Sequence, residues 1–360
     1  MVARRDRSDV VADAARSQGR GRPDRHHESR QADERTGSTV SGIEDKGAFG
    51  TDSADRGSAR PVADPAVVPV ILNPTARRGA VLRRIDPLVH AFAAHGLEAR
   101  LVRSTSEEHA KELAAAFAAE GAKVVGALGG DGMARTVAAG LVDTDTALGV
   151  IAGGRGNDLI GKLGIPKRVE EAVATIADGL DRVIDVLDLD GTISLGNVCL
   201  GLDSTVQRHA NSTRVVRGHW VYLYGILRAI LPPRSIDLEL TVDGQRLDFR
   251  GLTAGFANSG RYGGGLTLSP EAAIDDGLID VVLLKEAWLP KLAVELVAFM
   301  SGRHDRHPNI HLSRAREIRI DTPAGAAPVE IVADGDAVAQ TPATVTIRPS
   351  SLRVRVPRTS

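Results

Sequence analysis

Short apolar runs alternate with amphipathic stretches from residue 67 to about residue 177, and that alternation predicts strand, helix, strand, helix in turn. Residues 67–72 read as a strand, 81–95 as an amphipathic helix, 99–102 as a second strand and 107–119 as an alanine-rich helix that stops at Gly121. A strand to Leu128, a helix-compatible stretch over 133–141, a strand over 147–152 and a helix from about 169 to 177 complete the series. Strands that are apolar throughout need cover on both faces. The pattern therefore predicts a mostly parallel sheet between helices, a three-layer α/β nucleotide-binding domain over residues 63–180.

After Asp181 the period changes. Residues 183–189, 192–202, 237–242, 252–258, 279–284, 317–321, 329–333 and 343–348 read as strands, separated by turn signals such as Asp190-Gly191 and Asp243-Gly244. This predicts an antiparallel β-sandwich domain over 181–360 whose last strand packs back on the first domain. Two helices, over 220–231 and 289–300, interrupt it. The first sixty or so residues are rich in Arg, Asp, Ser and Gly with almost no branched apolar side chains, which predicts a disordered polar tail over 1–62.

A chain of 360 residues that is 42% hydrophobic has material for two globular domains. Its net charge of -1 creates no global basic field, so nucleic acid is not expected as a partner. The single cysteine, Cys199, excludes an internal disulfide framework and fits a reducing compartment. No apolar run is long enough to cross a bilayer and the N-terminal segment is charged, so a soluble, cytoplasmic protein is expected. The aromatic and aliphatic stretch from Trp220 to Arg228 reads either as a helix covering the sandwich or as a contact with a membrane surface.

Ligands of open parallel sheets gather at the carboxyl ends of the strands. Three sequence oddities fall there: Asn73-Pro74-Thr75-Ala76, Gly129-Gly130-Asp131-Gly132, and Gly153-Gly154-Arg155-Gly156-Asn157-Asp158. Glycines let backbone N–H groups curve around an anion, and a helix N-terminus adds partial positive charge. Asp131 is the odd member, because a carboxylate beside phosphates repels them unless a cation or a transferable proton lies between. That points to metal-assisted phosphoryl chemistry, although Asp131 reads equally well as a helix cap. Asp336, in Asp334-Gly335-Asp336, is by itself a turn residue, as is Asp276 in Asp275-Asp276-Gly277.

Taken in order, these features resemble the diacylglycerol kinase catalytic family, and within it the bacterial lipid kinases. Asn73-Pro74-Thr75-Ala76 is similar to the family's entry loop and Gly129 to Gly132 to its nucleotide loop. Gly154 to Leu159, ending in Leu163-Gly164-Ile165-Pro166, is similar to its third loop. Ala257-Asn258-Ser259-Gly260-Arg261-Tyr262-Gly263-Gly264-Gly265, through Ser269-Pro270 to Asp275-Asp276-Gly277-Leu278, resembles the sandwich signature. The likeness runs from about residue 66 to the C-terminus. Met133 stands where the family usually has threonine, Arg135 and Thr136 where it has asparagine and glutamate, and Arg155 where the third loop has threonine.

The resemblance implies an ATP- and Mg²⁺-dependent transfer of the γ-phosphoryl to the hydroxyl of a diacylglycerol-like lipid. It places Asn73, Pro74, Thr75, Ala76, Arg77, Ser104, Gly129, Gly130, Asp131, Gly132, Met133, Ala134, Arg135, Arg155, Asn157 and Asp158 around the nucleotide. Asp131 would organise metal and water, and Asp336 would be the general base. A structural magnesium would lie at Asp276 with the carbonyls of Ala273 and Leu278. A lipid alcohol substrate, transient contact with the inner face of the membrane and a homodimer are the expected partners. NAD kinase, whose superfamily shares the glycine loop, and a nucleotide- or lipid-binding pseudokinase are the alternatives.

Overall fold

Val70 and Leu72 project to one side of their strand and Ile71 to the other, and all three are fully buried. A computed structural model of the chain shows what covers them; it describes residues 66–74, 81–154, 156–201, 235–262, 266–286 and 307–358. The tail expected over 1–62 and the helices expected over 220–231 and 289–300 lie outside the described residues.

The first half runs β1 (Ala66–Leu72), α1 (Ile85–Ala94), β2 (Leu97–Arg103), α2 (Glu107–Ala119), β3 (Val124–Gly129), α3 (Asp131–Leu141), β4 (Ala147–Ala152), α4 (Asp158–Leu163) and α5 (Val169–Asp178). Strands β2, β1, β3 and β4 pair in that order, all parallel. Ile71, Val125, Ala127, Leu148 and Val150 share one core with side chains of α2, α3 and α4. Val70, Leu72, Leu128 and Ile151 share the opposite core with Leu88 and Phe92 of α1 and Val173 of α5. These are the expected three layers. Helix α1 is shorter than its periodicity predicts, because Pro87 falls in its first turn and the preceding residues 81–84 form a 3₁₀ turn.

The second half is antiparallel. It runs β5 (Leu180–Leu189), β6 (Thr192–Ser194), β7 (Asn197–Gly201), β8 (Ile236–Val242), β9 (Gln245–Ala257), β10 (Arg261–Tyr262), β11 (Leu266–Thr267), β12 (Ile279–Lys285), β13 (Ile310–Ala315), β14 (Glu317–Asp321), β15 (Glu330–Ala333), β16 (Asp336–Gln340) and β17 (Ala343–Val356). Inward-facing residues of nine of these strands, among them Val198, Leu240, Phe256, Val281, Ile318 and Ile331, form a third core. The apolar run read as one strand over 192–202 is broken at Leu195-Gly196, whose N–H groups turn to a carboxylate described below.

The last strand is far longer than the expected 343–348. It passes a bulge between Arg348 and Leu352, where Ser350 takes a φ of +49°, and then continues. Before the bulge β17 pairs with β14, and after it with β4, in parallel, at Arg353 and Val354. Ala343, Val345 and Ile347 fill the sandwich core; Leu352, Val354 and Val356 fill the α/β core.

Candidate active site

Strands β1, β3 and β4 end side by side, and the loops after β3 and β4 meet without side chains between them. A Cβ on Gly154 would lie 2.5 Å from the Gly130 Cα, and one on Gly130 would lie 3.1 Å from the Gly154 Cα. Both distances put a methyl group against backbone, so the two loops touch because both residues are glycine. Helix α3 then starts at Asp131 with Gly130 at its cap position and no side chain capping it. Its first-turn N–H groups are of the kind that receive an anion.

Asp131 holds the third loop in place. Its Oδ2 accepts from the Asn157 N–H at 2.7 Å and its Oδ1 from the Asp158 N–H at 2.8 Å. Burial pushes this carboxyl above its usual range, and the backbone donors pull against that shift. Asn157 adopts a φ of +56°, which asparagine tolerates, and sends its Nδ2 to the Gly154 carbonyl at 3.3 Å. Its Oδ1 is buried with no hydrogen-bond partner among the described residues. The Asp131 and Asp158 carboxylates lie on the same side of Gly156, 2.7 and 3.5 Å from where its Cβ would be.

Ser104 sits just past β2, buried, with its N–H and Oγ both on the Leu72 carbonyl at 2.9 and 3.4 Å. Asn73 and Pro74 leave the end of β1 beside it. Met133 lies over the end of β3, since a Cβ on Gly129 would come within 2.5 Å of its own Cβ. Ala134 is buried in the core beneath. Thr75, Ala76, Arg77 and Arg155 lie outside the described residues.

The sandwich reaches this site through one turn. Asp334 takes a φ of +49°, and its carboxylate accepts from Ser194 Oγ at 3.0 Å and from the N–H groups of Leu195, Gly196 and Asn197 at 2.8, 2.7 and 3.2 Å. Burial again pushes the carboxyl up. The 194–197 turn is braced from behind by Asn258, whose Nδ2 donates to the carbonyls of Leu195 and Asp185. So anchored, the turn delivers Asp336, whose Oδ2 lies 3.0 Å from the Cβ position of Gly132. The sandwich carboxylate and the first turn of α3 are thereby neighbours.

Arg135 joins them from below. Its guanidinium Nη2 lies 3.4 Å from Asp336 Oδ2 and 3.3 Å from Glu107 Oε2 at the start of α2. Burial raises the Asp336 carboxyl above its usual range, the Arg135 charge lowers it, and Glu107 and Asp334 push it up.

Asp276 belongs to a different neighbourhood. Its Oδ1 accepts from the Leu278 N–H at 3.0 Å, while buried Asp185 accepts from Gly277 N–H at 2.6 Å and Ser350 N–H at 2.7 Å. The turn that carries Ala273, Asp276 and Leu278 is thus tied to β5 and β17. Among the described residues no cluster of three or more His, Cys, Asp or Glu side chains is arranged as a metal site.

Four participants escape a reading of the sequence: Glu107, Asp334, Asp185 and Arg84, whose Nη1 donates to the Ala152 carbonyl at the end of β4. Asp334 had a signal in its Asp-Gly turn, and Asp185 had one as a carboxylate flanked by Val183-Ile184 and Val186-Leu187. Glu107 and Arg84 have none.

Two family models match in tandem, the diacylglycerol kinase catalytic domain over residues 67–189 and the YegS C-terminal NAD kinase beta sandwich-like domain over 196–356. A structure described as a diacylglycerol kinase from Bacillus anthracis superposes with a TM-score of 0.66 at 20% identity, covering 81% of this chain and 97% of that one. A diacylglycerol kinase of Bacillus subtilis is 24% identical over 257 residues, 70% of this chain and 84% of the relative. A diacylglycerol kinase of Mycobacterium tuberculosis is 30% identical over 298 residues, 81% of this chain and 95% of the relative, and on that similarity the chain belongs to the diacylglycerol kinase catalytic family.

Proposed function

We propose that the protein is a lipid kinase that transfers the γ-phosphoryl of ATP to the hydroxyl of a diacylglycerol-like lipid, using Mg²⁺. The observation that carries this reading is Asp336 Oδ2 standing 3.0 Å from the Cβ position of Gly132. A carboxylate from the second domain meets the phosphate-seating loop of the first. Transfer needs the nucleotide tail held in line and a group to take the attacking hydroxyl's proton.

The residues fit both ligands. The Gly130–Gly154 contact brings the two loops together backbone to backbone, with no side chain to obstruct a phosphate beside them, and the buried Asn157 Oδ1 offers an acceptor to a donor on the nucleotide. Asp131 and Asp158 converge beside Gly156 as an oxygen-only pair, the donor type magnesium takes directly or through water. When bound there, magnesium would offset the phosphate charge. Asn73, Ser104, the first turn of α3 and the third loop would line the nucleotide, and Asp131 would fix the distance between the two glycine loops. The lipid hydroxyl attacks the γ-phosphorus as the bond to the bridging oxygen breaks, and its proton goes to Asp336. The Asp276 turn offers one carboxylate and two carbonyls, a second oxygen-only set whose role would be to stiffen the sandwich.

Because the acceptor read here is a membrane lipid, we propose that the enzyme works as a peripheral protein at the inner membrane face; no helix among the described residues is long and apolar enough to cross a membrane. The test is mass spectrometry of a cell lipid extract after incubation with the protein, ATP and Mg²⁺. New phosphate monoesters of lipid alcohols, lost in Asp336→Asn, support the reading. Phosphorylation of NAD in place of lipid, or of neither acceptor, overturns it.

A further inference from the structure

Arg135 is a buried cation whose partners are exposed. Its side chain is 5% exposed, whereas Asp336 and Glu107 are 51% and 74% exposed. The guanidinium lies beneath the mouth of the cleft and two carboxylates reach down to it, one from the sandwich and one from α2. Both contacts, at 3.3 and 3.4 Å, exceed the roughly 2.7–2.9 Å of a tight charge-assisted bond. Its Nε is buried without a hydrogen-bond partner among the described residues. One cation is thus shared between two anions and saturated by neither.

We propose that Arg135 is a positioning residue for the general base: it holds the Asp336 carboxylate over Gly132 and keeps it ionised, and Glu107 competes with Asp336 for it. This rests on the reading of Asp336 as the base. Among the described residues no other side chain or backbone N–H holds the Asp336 carboxylate, whose backbone is anchored through Asp334. A carboxylate free to swing away would lose its place near the phosphate seat. The charges that face it are Arg135 from α3, Glu107 from α2 and Asp334 from its own turn, one cation against two anions. Removing the cation leaves burial and two like charges acting together, so the proton is held more tightly. Removing Glu107 does the reverse twice over, by deleting a repulsion and by releasing Arg135 to Asp336 alone.

The two variants therefore move one property in opposite directions, which a purely structural Arg135 would not do. The direct readout is the ¹³C carboxyl resonance of Asp336 in the full chain without nucleotide, assigned by its disappearance in Asp336→Asn and followed against pH. Arg135→Gln should shift the titration up by roughly one pH unit and Glu107→Gln down by a smaller amount, with Arg135→Lys between the native protein and Arg135→Gln. The acid limb of kcat/KM for lipid phosphorylation should follow the same order. Should Arg135→Gln fail to fold, Glu107→Gln on the exposed end of α2 still decides the matter. A titration unmoved in both variants, or moved in the same direction, overturns the proposal. Shifts as expected in a protein that phosphorylates no lipid would overturn the assignment of the base while leaving the coupling in place.

Discussion

The loop after β3 and the turn into β16 meet at Gly132, and each brings an aspartate. Asp131 has both oxygens committed to backbone N–H groups of the third loop, at 2.7 and 2.8 Å. Asp336 makes one loose ion pair at 3.4 Å and is half exposed. Identical side chains beside the same glycine in space thus have opposite character. A carboxylate surrounded by fixed donors is suited to building, and one held by a single loose partner is suited to the base role proposed for Asp336. The sandwich repeats the division within three residues, since Asp334 is the tied member and Asp336 the free one.

If that division is right, Asp336→Asn should lower lipid phosphorylation by about 10²–10⁴-fold with the melting midpoint unchanged, measured by initial rates and thermal melts. Equal loss of stability would erase the distinction. Asp131→Ala should act the other way round. It strands two part-buried N–H donors and should cost about 1–3 kcal/mol in urea unfolding, with activity falling as a consequence. Asp334→Ala should cost a similar amount and, unlike Asp131→Ala, should leave nucleotide binding intact while transfer falls, because it releases the turn that delivers Asp336. Gly154→Ala should push a methyl group into the Gly130 backbone and shrink the rise in melting temperature that ATP with Mg²⁺ produces; an undiminished rise would mean the loop contact is not the nucleotide cradle. The smallest effect concerns pH. Asp336 titrates above the usual carboxylate range and takes a proton only when ionised, so kcat/KM should climb as pH rises through that raised value and level off beyond it.

Much of this was legible in the residues themselves. The three strand-end motifs point to the phosphate seat because glycine and helix start are local signals, and Asp334-Gly335-Asp336 is a visible turn. What the residues could not show is which carboxylate meets which donor. Asp131 bonds to Asn157 and Asp158 across a span of about twenty-six residues, and no spacing rule encodes that pairing. The family resemblance placed Arg135 around the nucleotide, and no spacing rule showed that its guanidinium would also lie between Asp336 and Glu107. The break between β6 and β7 was hidden for a similar reason. Its apolar residues satisfy a strand pattern, but the N–H groups of 195–197 are drawn away by Asp334, 138 residues distant in the case of Gly196. The length of β17 escaped because Pro349 and Ser350 look like an ending, whereas Ser350 is a bulge whose N–H bonds to Asp185.

Strand β17 also bears on how the molecule comes apart. Half of it lies in the sandwich core and half in the α/β core, and each half is paired on both edges. Fraying either domain would strip ladder bonds from a strand the other domain needs, so the two domains should unfold in a single transition. Amides of residues 352–356 should exchange with solvent at the rate of global unfolding, and nucleotide bound at the far end of β4 should protect sandwich amides it never touches.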